Sequence, residues 1–128
     1  MSDQEQPVLG SIGWRDLTVP PEETAAVRDF YAAVAGWTIH EVDMGGYADY
    51  AMLDASGQPA AGVCHAQGVN ATMPPQWILY VHIADLDASL AQVTANGGKV
   101  IVPERSMGDA RFAVIQDPAG AMIGLYQA

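Results

Sequence analysis

From Ile12 to Val19 apolar and polar side chains alternate as they do in a half-buried strand. The period then changes: Val27, Phe30, Tyr31 and Val34 fall at i, i+3, i+4 and i+7, which predicts a helix with those four side chains in the core. Pro20-Pro21-Glu22-Glu23 supplies the helix start, since proline is tolerated in a first turn and acids there suit the helix dipole. Gly36 stands where a left-handed C-terminal cap belongs. Three short apolar runs follow, Trp37 to Val42, Asp49 to Asp54 and Ala60 to His65, parted by Met44-Gly45-Gly46 and by a turn-rich stretch from Ala55 to Pro59. The order is βαβββ.

The second half repeats it. Gln76 to Ala84 reads as a strand, Asp85 as the cap of a helix striped by Leu86, Leu90 and Val93, and Asn96-Gly97-Gly98 as its end. Lys99 to Val102, Ala110 to Gln116 and Ala121 to Gln127 give three more strands, with Asp117-Pro118-Ala119-Gly120 as a tight turn. Internal repetition supports the pairing: Met44-Gly45-Gly46 recurs as Met107-Gly108-Asp109, Tyr50-Ala51-Met52-Leu53 as Phe112-Ala113-Val114-Ile115, and Gly57 as Gly120. The expected organisation is a tail over residues 1–10 and one α+β domain over 11–128, built from modules at about 11–66 and 76–128.

Composition narrows the partners. A formal net charge of -10 sets a mean field that repels a phosphate backbone or an anionic bilayer, so neither nucleic acid nor membrane is expected. The single cysteine, Cys64, makes no internal disulfide, and no apolar stretch is long enough to span a bilayer, so a cytoplasmic home is the expectation.

Arg28-Asp29-Phe30-Tyr31 followed by Gly36-Trp37, then Asp85-Leu86-Asp87-Ala88, Gly97-Gly98 and Asp117-Pro118-Ala119-Gly120, in that order and at that spacing, resemble the landmarks of the vicinal oxygen chelate superfamily of glyoxalases, bleomycin-resistance proteins and extradiol dioxygenases. The resemblance spans nearly the whole chain. It implies two modules curled around a cavity with helices outside, frequent homodimers, and, in metal-dependent members, His, His and Glu on the first, fifth and last strands. The matching positions here are Trp14, Ile78 and Gly124, none of which coordinates a cation. The fourth-strand position falls near Gly62 or Cys64. No metal and no cofactor is therefore expected.

Strand parity assigns the rest. Trp77, Leu79, Val81 and Ile83 are predicted to face the helix, leaving Ile78, Tyr80 and His82 for the cavity. Leu17, Val19, Ile123 and Leu125 likewise go to the helix side, leaving Trp14, Asp16, Thr18, Met122, Gly124 and Tyr126. The candidate ligand-binding set is Trp14, Asp16, Tyr80, His82, Arg111 and Tyr126, with Arg111 at the cavity mouth or paired with Asp109. Asp16 and His82 are the candidate acid/base pair. His65 and His40 read as surface residues, and Cys64 as a small hydrophobe.

Three functions remain open at this point. The first is metal-free binding of a hydrophobic or aromatic small molecule in the inter-module cavity, lined by the aromatic candidates. The second is a lyase, isomerase, epimerase or dioxygenase using Asp16 and His82, or an unconventional metal set of Asp16, His65 and His82. The third is a homodimeric interaction module with a vestigial cavity.

Overall fold

The computed structural model describes residues 7–67, 71 and 73–128, apart from the side chain of Met107. Its elements run β1 (Ile12–Val19), a 3-10 turn (Pro21–Glu23), α1 (Thr24–Ala35), β2 (Thr38–Asp43), β3 (Ala48–Leu53), β4 (Pro59–His65), β5 (Trp77–His82), α2 (Leu86–Ala95), β6 (Lys99–Met107), β7 (Ala110–Gln116) and β8 (Met122–Gln127). The chain is α+β and βαβββ occurs twice. Packing divides it into Trp14–Trp77 and a second unit made of Ile78–Ala128 with the chain up to Gly13. The dividing line crosses β1, so Ser11 to Gly13 pack with the second half, although the sequence repeat groups them with the first.

In the Trp14–Trp77 unit the strands lie in the order β2-β3-β4-β1. β1 runs parallel to β4, pairing Asp16 with Gly62 and Thr18 with Cys64, and the other neighbours are antiparallel. Leu17, Val19, Met52, Ala61 and Val63 are buried, and Arg28 of α1 lies 4.8 Å over the Tyr50 ring, so α1 covers the face that carries Tyr50 and Val63. Gly36 ends α1 at φ 74°, as the sequence predicts. The predicted stripe is only half right. Thr24 is buried and Val27, Arg28 and Tyr31 are half-buried, whereas Phe30 and Val34 are 56% and 67% exposed. The helix is rolled so that the long stem of Arg28 covers Tyr50 where a more apolar residue was expected. Tyr31 anchors the other edge: its hydroxyl accepts from Trp77 Nε1 at 3.1 Å, and its ring packs on Trp37 and Trp77.

In the second unit the order is β5-β8-β7-β6, again with one parallel pair, β5 with β8. Asp85 caps α2 by accepting from the Ala88 amide at 3.1 Å, and Leu86, Ala113 and Leu125 form a core with Ile83, Leu90, Val93 and Ile115. The amide of Leu86 donates to Gln127 Oε1 at 2.7 Å, tying the helix start to β8. β5 departs from its prediction: Leu79, assigned to the helix side, is 46% exposed, while Ile78 is 1% exposed and Tyr80 is buried too. β6 runs to Met107, five residues past its predicted end at Val102. It is the edge strand of its unit, where Pro103 removes no ladder bond that the sheet requires, and its pairing with β7 shifts between Val102 and Arg105. Of the predicted tail, residues 1–6 lie outside the described residues. Gly10 donates its amide to His82 O at 2.8 Å and the His82 amide donates to Ser11 O at 2.9 Å, so the approach to β1 is bound to β5.

Candidate functional site

The register of β1 on β4 places Trp14, Asp16, Thr18, Gly62 and Cys64 on one sheet face, opposite the α1 side. Gly62 is the floor of this patch. A Cβ added there would lie 3.3 Å from Asp16 Cβ, 3.4 Å from the Trp14 indole and 3.6 Å from Cys64 Sγ. Trp14, Asp16 and Cys64 are each half-buried, so this face offers an indole wall, a carboxylate and a thiol around a backbone floor. The sequence prediction for Trp14 and Asp16 agrees with that placement.

In the second unit Tyr80 pairs with Gly124 and His82 with Tyr126, all on the face turned away from α2. A Cβ at Gly124 would overlap the Tyr80 ring, which lies across that glycine. Tyr80 packs edge-on against Phe112, Phe112 stacks on Tyr126 with ring centres 6.3 Å apart, and His82 meets Tyr126 edge-on at 5.3 Å. The last-strand position that bears Glu in metal-dependent members is thus a glycine roofed by phenol. Ile78, at the fifth-strand position, is buried hydrocarbon. The His82 ring lies against Gly13, and its Nδ1 is buried with no hydrogen-bond partner among the described residues. Asp16 belongs to the first unit and His82 to the second.

Arg111 corrects the sequence reading. It pairs with Gln127 and so shares the face of Leu125 and Ala113, on the α2 side. Its partners are Asp87 at 2.7 Å and Glu104 at 2.8 Å, not Asp109. Hydrogen bonds to Glu104 and then Asp87 raise the guanidinium pKa well above its ordinary value, and the bond to Arg111 lowers that of Glu104. The cation on the aromatic face is Arg105, whose guanidinium lies 4.5 Å over the Phe112 ring. Sequence reasoning missed it because the predicted strand stopped at Val102, short of Arg105. Register also separates a pair that the repeat equates: Tyr50 sits opposite Val63 on the α1 side, whereas Phe112 sits opposite Tyr126 on the face away from α2.

His65 is not a surface residue. Its side chain is 14% exposed and that of Asp49 15%, and Asp49 Oδ1 accepts from both the His65 amide, at 2.9 Å, and His65 Nδ1, at 3.1 Å. The imidazole packs edge-on against Tyr47 at 5.1 Å. His40 is exposed, as expected. Among the described residues no three His, Cys, Asp or Glu side chains gather as a metal cluster, and no helix is long and apolar enough to cross a membrane.

The family model described as "Glyoxalase-like domain" matches residues 16–125. The protein named "Putative glyoxylase CFP32" of Mycobacterium tuberculosis (strain CDC 1551 / Oshkosh) is 34% identical over 122 residues, covering 93% of this chain and 46% of that protein. The anthracycline biosynthesis protein DnrV of Streptomyces peucetius is 32% identical over 131 residues, covering 92% of this chain and 47% of that one. The chain therefore spans about half the length of these curated relatives. A glyoxalase/bleomycin resistance protein/dioxygenase superfamily member from Vibrio splendidus 12B01 shares the fold at TM-score 0.57 and 10% identity, over 90% of this chain and 97% of that one. With a matching model over most of its length and relatives above 30% identity along nearly all of it, the chain belongs to the glyoxalase-like domain family.

Proposed function

We propose that the chain is a metal-free glyoxalase-like protein that binds a small hydrophobic or aromatic molecule against the face formed by Trp14, Asp16, Gly62 and Cys64. The observation that carries this reading is the chemistry of the three positions where metal-dependent members hold a cation. Here they are Trp14, Ile78 and Gly124, and the Tyr80 ring lies over the last. Indole, buried alkyl and a covered glycine supply no donor for a divalent ion. They do supply apolar area, and a half-buried indole suits a flat molecule, with the Asp16 carboxylate beside it to orient that molecule. The relative named for anthracycline biosynthesis supports a planar aromatic ligand.

The test is elemental analysis of untagged protein after incubation with nickel, zinc, manganese and iron(II) and desalting, followed by fluorescence titration with planar aromatic compounds. The expected outcome is no retained ion and a quench that the Trp14→Phe protein does not show. About one tightly held ion per chain, or an identical quench in Trp14→Phe, would overturn the reading.

A further inference from the structure

Three ladders set four side chains in one row across the second unit. Arg105 of β6 pairs with Phe112 of β7, Phe112 with Tyr126 of β8, and Tyr126 with His82 of β5. Residues directly opposite one another share a sheet face, so the whole row lies on the face turned away from α2. The proposed function uses none of the four. Their groups touch in turn: the Arg105 guanidinium lies 4.5 Å over the Phe112 ring, Phe112 stacks on Tyr126 with centres 6.3 Å apart, and His82 meets Tyr126 edge-on at 5.3 Å. With strands about 4.8 Å apart, the row spans roughly 14 Å. Phe112 is buried, whereas Arg105, Tyr126 and His82 are half-buried and keep part of their surface accessible.

Charge singles out this face. The chain carries 15 Asp and Glu, yet β5, β7 and β8 contain none. Glu104, the neighbour of Arg105 on β6, is turned to Arg111 on the α2 side. The mean field of a chain with a net charge of -10 repels anions, and here a guanidinium stands beside aromatic rings on strands that add no carboxylate to oppose one.

We propose that this row binds an aromatic carboxylate, with the carboxylate on Arg105 and the flat body along Tyr126 towards His82. The guanidinium fork matches two carboxylate oxygens at its edge, so the cation takes the anion while one of its planar faces stays on Phe112. Tyr126 and His82 offer ring surface to the body of the ligand. All four residues belong to the second unit, and the Trp14 face shares none of them. The competing account is packing alone, in which the Arg105 stem and guanidinium serve only to cover Phe112.

The anion 2-naphthoate and its neutral amide, 2-naphthamide, nearly equal in shape and different in charge, separate the two. Titrated at pH 7.5 and followed through the backbone amides, naphthoate is expected to saturate with shifts centred on Arg105, Phe112 and Tyr126, and to bind about tenfold more tightly than the amide. Arg105→Met, which keeps a stem over Phe112, is expected to abolish that preference, and Arg105→Lys to keep part of it. Trp14→Phe is expected to leave naphthoate binding unchanged, so the loss of the Trp14 reading would not carry this one with it. No saturable binding, shifts centred on Trp14 and Gly62 instead, equal binding of the amide, or an undiminished preference in Arg105→Met would overturn the proposal and leave Arg105 as a cover for Phe112.

Discussion

Gly62 and Gly124 stand at matching places in β4 and β8, each beside the parallel opening strand of its own unit, yet what covers them differs. At Gly62 a methyl group would find neighbours at 3.3 to 3.6 Å, whereas at Gly124 it would overlap the Tyr80 ring. Gly124→Ala must therefore push Tyr80 out of its contact with Phe112, which is expected to cost about 1–3 kcal/mol in urea unfolding. Gly62→Ala, whose methyl would meet its nearest neighbour at 3.3 Å rather than overlap a ring, is expected to cost less than Gly124→Ala. Equal losses would mean that the Tyr80 ring yields as easily as the Asp16 and Trp14 side chains. Much of this face was legible, because a period of two assigns residues to faces once one of them is fixed. It failed where the register was unknown. The repeat aligns Tyr50 with Phe112, but a one-residue difference in pairing puts them on opposite faces, and Arg111, placed at the cavity mouth from its position after the Met107-Gly108-Asp109 loop, lies on the α2 side. The Asp49 and His65 contact carried no periodic signal at all, since it joins residues on different strands.

Helices and strands were legible where both ends carry chemistry. Asp85 and Gly97 bracket α2, and Gly36 closes α1, so both helices were found nearly to the residue. β6 was predicted to stop at Val102 but runs to Met107, and its edge position in the sheet order is what lets a strand carry Pro103. The extra residues matter, because they bring Glu104 to Arg111, which also holds Asp87 in the first turn of α2. This triad ties α2, β6 and β7 together. Glu104 has a folded-state pKa below its ordinary value of 4.5, chiefly through its hydrogen bond to Arg111. A carboxyl whose folded pKa is depressed contributes stability above its unfolded pKa and loses it as pH falls through the folded one. The stability gap between wild type and Arg111→Met is therefore expected to be full at neutral pH and to shrink as pH drops below 4.5. Urea midpoints of both proteins across pH 7 to 3 would check it, and a gap constant over that range would show that Arg111 stabilises through its stem rather than its charge.

At the scale of the whole chain, the family was legible from a few short motifs in order, and the ligand was not, because function in such a fold lives in side chains grafted onto a shared frame. Nor could the repeat show where the packing divides. The two βαβββ sequences suggest halves meeting near residue 70, yet the chain up to Gly13 packs with Ile78–Ala128. The backbone bonds explain the difference: β5 takes the Gly10 amide at His82 O and gives the His82 amide to Ser11 O, so the lead-in to β1 serves the second unit before the rest of β1 joins the first. Amide hydrogen exchange tests whether that lead-in stabilises one unit or the whole. In a chain starting at Trp14, the His82 amide loses its acceptor and is expected to exchange about tenfold faster or more, as one lost backbone hydrogen bond implies. Amides of β3 and β4, whose ladder partners all lie within Trp14–Trp77, are expected to keep their protection. A common fall across β3, β4 and β5 would instead show that the two units open as a single cooperative body, with Ser11 to Gly13 stabilising both.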